Sequence, residues 1–149
     1  MIRIAIDTSV LVGLLDRKDM WHKQSVALKE ALKQQGAEVA IFDCVLAEAI
    51  SIVVRRIHEQ RRDVNLDALL RQLEDSYPAS DIVWILPDVP VLYDQVIDLI
   101  RISSGRLNFN DALIALACRY RKIPMIASYD EDFEHVEWLR RVSQPENLN

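Results

Sequence analysis

Glycine and cysteine are scarce in this chain of 149 residues, with three of the first and two of the second. So few glycines, and five prolines that are scattered rather than clustered, argue against linkers, low complexity or a long disordered tail. Cys44 and Cys118 lie inside apolar stretches with no metal-ligand spacing, so they read as reduced, buried thiols of a cytoplasmic protein. No segment approaches the roughly 20 apolar residues that span a bilayer, so no membrane partner is expected. The apolar N-terminus is interrupted by Asp7, followed by Asp16 and Asp19, and has no small-residue cleavage site, unlike a signal peptide. A basic excess is missing too. The net charge of −5 disfavours a protein that merely holds nucleic acid on a basic surface.

What is present is apolar material, 50% of the chain, enough for one domain with a real core. We expect that domain over residues 1–142 and a loose tail over 143–149. Ile2, Ile4 and Ile6 alternate with Arg3 and Ala5 as in a strand. Asp7 ends it, and Thr8 or Ser9 is placed to cap a short helix through Leu15. Met20 to Gln35 reads as a helix with Gly36 just past its end. Glu38 to Phe42 reads as a strand, Asp43 to Arg62 as a long helix, and Asn65 to Tyr77 as an amphipathic helix that Pro78 stops. Ile82 to Leu86 is wholly apolar, as expected of a strand buried on both faces. Val91 to Ser103 and Asn108 to Tyr120 read as helices, Ile123 to Ser128 as a strand, and Val136 to Val142 as a short edge strand. Strands alternating with helices predict an α/β fold, a parallel sheet with helices on both faces.

Four acids stand out against this pattern. Asp7 and Asp130 follow core strands, Asp111 opens a helix with seven consecutive apolar residues, and Glu48 lies in the apolar half of the long helix. Each has an ordinary explanation: a turn, a cap, a charge set against the helix dipole, or a salt bridge. Together they have another. In a doubly wound sheet, strand C-termini and helix N-termini share one edge, which brings Asp7, Asp111 and Asp130 there. Crowded carboxylates repel unless a cation or protons relieve them. An oxygen-only set without His or Cys suits Mg²⁺ or Mn²⁺ and not Zn²⁺. Asp132 would point the same way as Asp130 if the chain stayed extended. Arg55, Arg56, Arg61 and Arg62 near the end of the long helix are candidates for phosphate contacts, or else a solvated helix end.

The segments IAIDTSVLVGLL around Asp7, AEAISIVVRR around Glu48, LNFNDALIALA around Asp111 and IASYDEDF around Asp130 resemble the PIN-domain ribonucleases, of the kind found as VapC-type toxins of toxin–antitoxin pairs. Their order and spacing fit the chain from end to end. The resemblance implies a five-stranded parallel sheet in the order 3-2-1-4-5. It makes Asp7, Glu48, Asp111 and Asp130 the catalytic, metal-binding quartet, with Thr8, Ser9 and Ser128 as polar supports and Asp132 as an accessory ligand. It further implies hydrolysis of RNA by water activated at Mg²⁺ or Mn²⁺, a homodimer, and a small inhibiting antitoxin protein. Two other readings compete: a PIN-like domain that binds RNA or protein without catalysis, and a Mg²⁺-dependent phosphotransfer domain. The second wants paired acids in a DxD loop or a strand-end Lys, and neither is evident.

Overall fold

The computed structural model describes residues 1–149. Five parallel strands form one sheet: β1 (Arg3–Ile6), β2 (Glu38–Phe42), β3 (Ile82–Val83), β4 (Met125–Ala127) and β5 (Arg140–Val142), in the spatial order β3-β2-β1-β4-β5. Six α-helices connect and cover them: α1 (Thr8–Leu15), α2 (His22–Gln34), α3 (Asp43–Glu59), α4 (Leu66–Ser76), α5 (Val89–Ile102) and α6 (Phe109–Tyr120). The α/β class and the strand order are as expected.

β1 is central and is flanked on both sides, Ile4 lying in register with Val39 of β2 and Met125 of β4. Its β-branched residues are therefore covered by helices on both faces, and Ile4 and Ala5 are wholly buried. The order of strands reverses at β1, which makes its C-terminal end a switch point where a crevice opens. α6 is apolar on every side over Ala112–Cys118 because it is the helix most deeply sunk in the core. Gly13 lets α1 approach α2 closely. A Cβ there would lie 2.3 Å from the Ser25 hydroxyl oxygen.

The structure departs from expectation in four places. β3 is two residues long and lies at the sheet edge, so Ile82 and Val83 are only half-buried and Trp84 is 55% exposed. Its end is pinned by Asp43, whose carboxylate accepts the backbone N–H groups of Ile85 and Leu86 at 3.1 and 3.0 Å. Residues 143–149 do not trail loosely. Pro145–Leu148 form a 3-10 turn in which Leu148 is buried, and the Asn147 side chain accepts the Ser143 N–H at 3.0 Å. Past Asp130 the chain does not stay extended but turns through a 3-10 segment, Glu131–His135. Finally, neither Thr8 nor Ser9 caps α1. Asp7 holds the N-cap position, and both hydroxyls are used elsewhere.

Candidate metal centre at the C-terminal edge of the sheet

Asp7 ends β1 at the sheet's central strand, with its backbone N–H donated to the Ala127 carbonyl at 2.9 Å. Its side chain is 6% exposed and accepts the Ser128 hydroxyl at 2.7 Å. Ser128, wholly buried just past β4, in turn accepts the Asp130 N–H at 3.0 Å. One serine thus ties the two strand-end acids together. Asp130 then caps the following 3-10 turn through the Asp132 N–H at 2.9 Å.

Asp111 arrives from the other direction, in the first turn of α6. It forms a reciprocal capping box with Asn108: Asn108 Oδ1 accepts the Asp111 N–H at 2.8 Å, and Asp111 Oδ2 accepts the Asn108 N–H at 3.2 Å. The cap and the crowding of acids therefore coexist at one residue. Glu48 lies in the buried half of α3, as the apolar pattern suggested, among the buried Val45, Ala49 and Val53, but its own side chain is exposed, and its Oε2 accepts the Thr8 hydroxyl at 3.1 Å.

These four carboxylates, with Thr8 and Ser9, line one open cleft of about 360 Å³. Their electrostatics show mutual exposure across it. Burial raises the Asp7 carboxyl to about 6, against the lowering effect of the Ser128 hydroxyl and the Thr8 N–H; the charges of Asp130 and Glu48 push it further up. Asp111 is also raised to about 6, by burial first and then by Asp7, Asp130 and Glu48, against its bond from Asn108. No three His, Cys, Asp or Glu side chains are gathered tightly enough to grip an ion directly. The donor set, all oxygen and all acidic, fits a hard divalent cation that keeps part of its water, as Mg²⁺ does.

The remaining expected residues divide cleanly. Ser9 lines the cleft and its hydroxyl accepts the Tyr129 N–H at 3.1 Å. Ser128 lies behind the cleft wall as the support of Asp7. Asp132 does not line the cleft, because the turn after Asp130 carries it away. Of the arginines, only Arg56 reaches the cleft. Its Nη1 donates to Asp16 and Asp19, each at 2.8 Å. Arg62 is committed to Asp16 at 2.8 Å, and Arg55 and Arg61 are exposed outside the cleft. The carboxyl of Asp16, 5% exposed, is subject to burial that raises it, but the bonds from Arg56 and Arg62 outweigh this and hold it below the usual carboxylate range.

Sequence reasoning missed other residues that line the cleft beside the acids, Asp19, Met20, Trp21 and Ile52. They sit in a polar turn and on a helix face, and their signal, an aromatic two residues after an acid, was too short to separate from ordinary turn chemistry. The two cysteines, Cys44 and Cys118, are buried, as expected, and burial pushes both thiols up to about 12. No helix is long and apolar enough to cross a membrane.

No curated protein matches the chain. The model of the PIN domain family, whose members are in general metal-dependent nucleases, matches residues 4–139, most of the chain and every acid of the cleft. With its parallel sheet in the order 3-2-1-4-5 and its acids gathered at the switch point, this chain belongs to the PIN domain family.

Proposed function

We propose that this protein is an endoribonuclease that hydrolyses RNA phosphodiester bonds with Mg²⁺ or Mn²⁺ held by Asp7, Glu48, Asp111 and Asp130. The observation that carries this reading is the meeting of those four carboxylates in one open cleft, two of them with carboxyls raised to about 6. A bound divalent cation lowers the pKa of water and neutralises phosphate charge. The chain's own groups do the rest. Ser128 fixes the Asp7 carboxylate, the Asn108 box fixes Asp111, and Thr8 fixes Glu48. The hydroxyls of Thr8 and Ser128 donate to carboxylates, and that of Ser9 holds a backbone N–H, so none is poised as a nucleophile, which leaves water for that role. Arg56, at the rim, supplies the cation that an acidic cleft needs to admit a polyanion.

The likeness to VapC-type toxins extends the proposal to a homodimer restrained by a small antitoxin. An apolar groove of about 300 Å³ lined by Val10, Leu14, Leu28, Leu32 and Tyr77, with Lys29 and Lys33 at its border, suits an apolar segment of such a partner. An Arg or Lys of that partner placed among the carboxylates would stand where the cation stands and block the site. Incubation of the purified protein with single-stranded RNA in Mg²⁺, Mn²⁺ or EDTA tests the core of the proposal. Cleavage with either metal and none in EDTA is expected; undiminished cleavage in excess EDTA overturns it.

A further inference from the structure

Beside the four acids, the lining of the cleft is organised by a fifth carboxylate, Asp19. Its Oδ1 accepts Arg56 Nη1 at 2.8 Å, and its Oδ2 accepts the Trp21 backbone N–H at 2.9 Å. Arg56 and Trp21 are therefore set side by side at the cleft, which both line. Trp21 is further fixed from behind. Its indole stacks on the Tyr129 ring, with centroids 4.5 Å apart and planes 17° from parallel. The Tyr129 hydroxyl bonds the buried Ser25 at 2.7 Å, and its backbone N–H is held by Ser9. Tyr129 lies between Ser128 and Asp130 in the chain, so the aromatic pair is anchored to the same short segment that orients the acids.

We infer that Trp21 and Arg56 form a nucleotide subsite beside the acid quartet: the indole stacks an unpaired base, and the guanidinium takes the phosphate next to the one that is cut. This rests on the nuclease reading above and specifies its substrate as single-stranded at that nucleotide. Four physical points support it. An indole already ordered by a stack and a backbone bond loses little freedom on receiving a base. Arg56 uses only Nη1 for its two carboxylates, and Nε and Nη2 have no partner in the protein, so donors in the planar fork remain for a phosphate. Asp16 and Asp19 hold that guanidinium in place and keep it firmly charged. Met20, 83% exposed at the same rim, adds apolar surface against which a base edge can lie. Base–aromatic stacking is tolerant of base identity, so the subsite selects for an unpaired base more than for a particular one. A duplex, whose bases are already stacked, cannot present one without being opened.

The test perturbs the substrate first, because that leaves the protein intact. Single-stranded RNA oligonucleotides with one abasic position, moved stepwise across the cleavage site, are cleaved by the wild-type protein in Mn²⁺. The expectation is a KM about tenfold or more higher for the abasic position at one nucleotide adjacent to the cut, and little change elsewhere. Trp21→Leu should raise KM for the intact RNA by a similar factor, with kcat less affected, and should lose its sensitivity to that abasic position. Trp21→Phe should recover most of the affinity. Arg56→Gln should raise KM and reduce the dependence of log KM on log salt by about one charge. Independently, tryptophan fluorescence of the Asp7→Asn protein should be quenched by a non-cleaved single-stranded RNA, and the quenching should vanish when Trp21→Phe is added. If no abasic position changes KM by more than twofold and Trp21→Leu cleaves with wild-type KM, the subsite does not exist. If a variant is misfolded by circular dichroism, the abasic series with wild-type protein decides. If no RNA is cleaved by the wild type in any metal, the nuclease reading fails, and the fluorescence experiment decides what is left: quenching that depends on Trp21 upholds a site that stacks an unpaired base, without a cut beside it, and its absence removes that too.

Discussion

Asp7→Asn should make the metal-free protein more stable while abolishing its activity. In the folded protein the Asp7 carboxyl lies at about 6 against an ordinary 3.8, because burial and the charges of Asp130 and Glu48 disfavour its ionised form. Each pH unit of that difference corresponds to about 1.4 kcal/mol, so holding Asp7 ionised at pH 7.5 costs the fold about 3 kcal/mol. Asparagine keeps an oxygen that can accept the Ser128 hydroxyl, a bond whose charge is already included in that value, but it buries an amide NH2 that lacks a partner, at a cost of about 1 kcal/mol. The net gain is about 2 kcal/mol, which raises Tm by about 4–8 °C in a chain of this size. The sign with pH follows. A carboxyl raised on folding binds its proton more tightly in the native state, so its cost is absent below about 3.8, grows up to about 6, and is constant above. The advantage of the variant should therefore be largest at pH 7.5 and mostly gone at pH 4.5. Asp111 and Asp16 also titrate with folding, in opposite directions, but both proteins contain them, so they largely cancel in the difference. Thermal melts of the two proteins in EDTA at the two pH values make the measurement. A variant that melts below the wild type at pH 7.5, or a difference that does not change with pH, refutes the reasoning.

By the same linkage Asp111→Asn, whose carboxyl also lies at about 6, should melt above the wild type in EDTA at pH 7.5, but by less than Asp7→Asn, because its site is half-open and it gives up a charge–dipole contribution of about 0.3–1 kcal/mol. Mn²⁺ should stabilise it far less than the wild type, and RNA cleavage should vanish. Asp16→Ala strips the partner from the largely buried Arg62 and one of two from Arg56. Urea unfolding should show a loss of about 3 kcal/mol, the cost of leaving a buried charge unpaired. Gly13→Ala forces a methyl group into the Ser25 hydroxyl and toward the Trp21 carbonyl, 3.3 Å away. It should cost about 1–3 kcal/mol in the same assay by parting α1 from α2.

The sheet and the acid cleft were legible because each depends on local signals that the fold makes additive. Alternating isoleucines marked β1, and the parallel topology then brought strand-end Asp7 and Asp130 to the helix-opening Asp111 without further information. What was not legible depended on how elements meet. β3 read as a five-residue strand buried on both faces because Ile82 to Leu86 are all apolar, but composition does not say that the strand ends after two residues, where Asp43 takes the N–H groups of Ile85 and Leu86. Glu48 read as buried because its neighbours are apolar, but it lies off the buried stripe of Val45, Ala49 and Val53, and its side chain is exposed. The arginines looked equivalent in sequence; only the placement of Asp16 and Asp19, in a turn about forty residues earlier, separates Arg56 at the cleft from Arg62 in a closed ion pair. The stack of Trp21 on Tyr129 joins residues 108 positions apart, and no local pattern announces it.

The most direct test of the central claim is a cleavage assay on single-stranded RNA with the wild type and Asp7→Asn, each in Mn²⁺ and in EDTA. Cleavage by the wild type in Mn²⁺ and in no other arm is the predicted result. Cleavage that survives EDTA, or an Asp7→Asn protein that cuts at the wild-type rate, contradicts the assignment of the acid cleft as a metal-dependent nuclease centre.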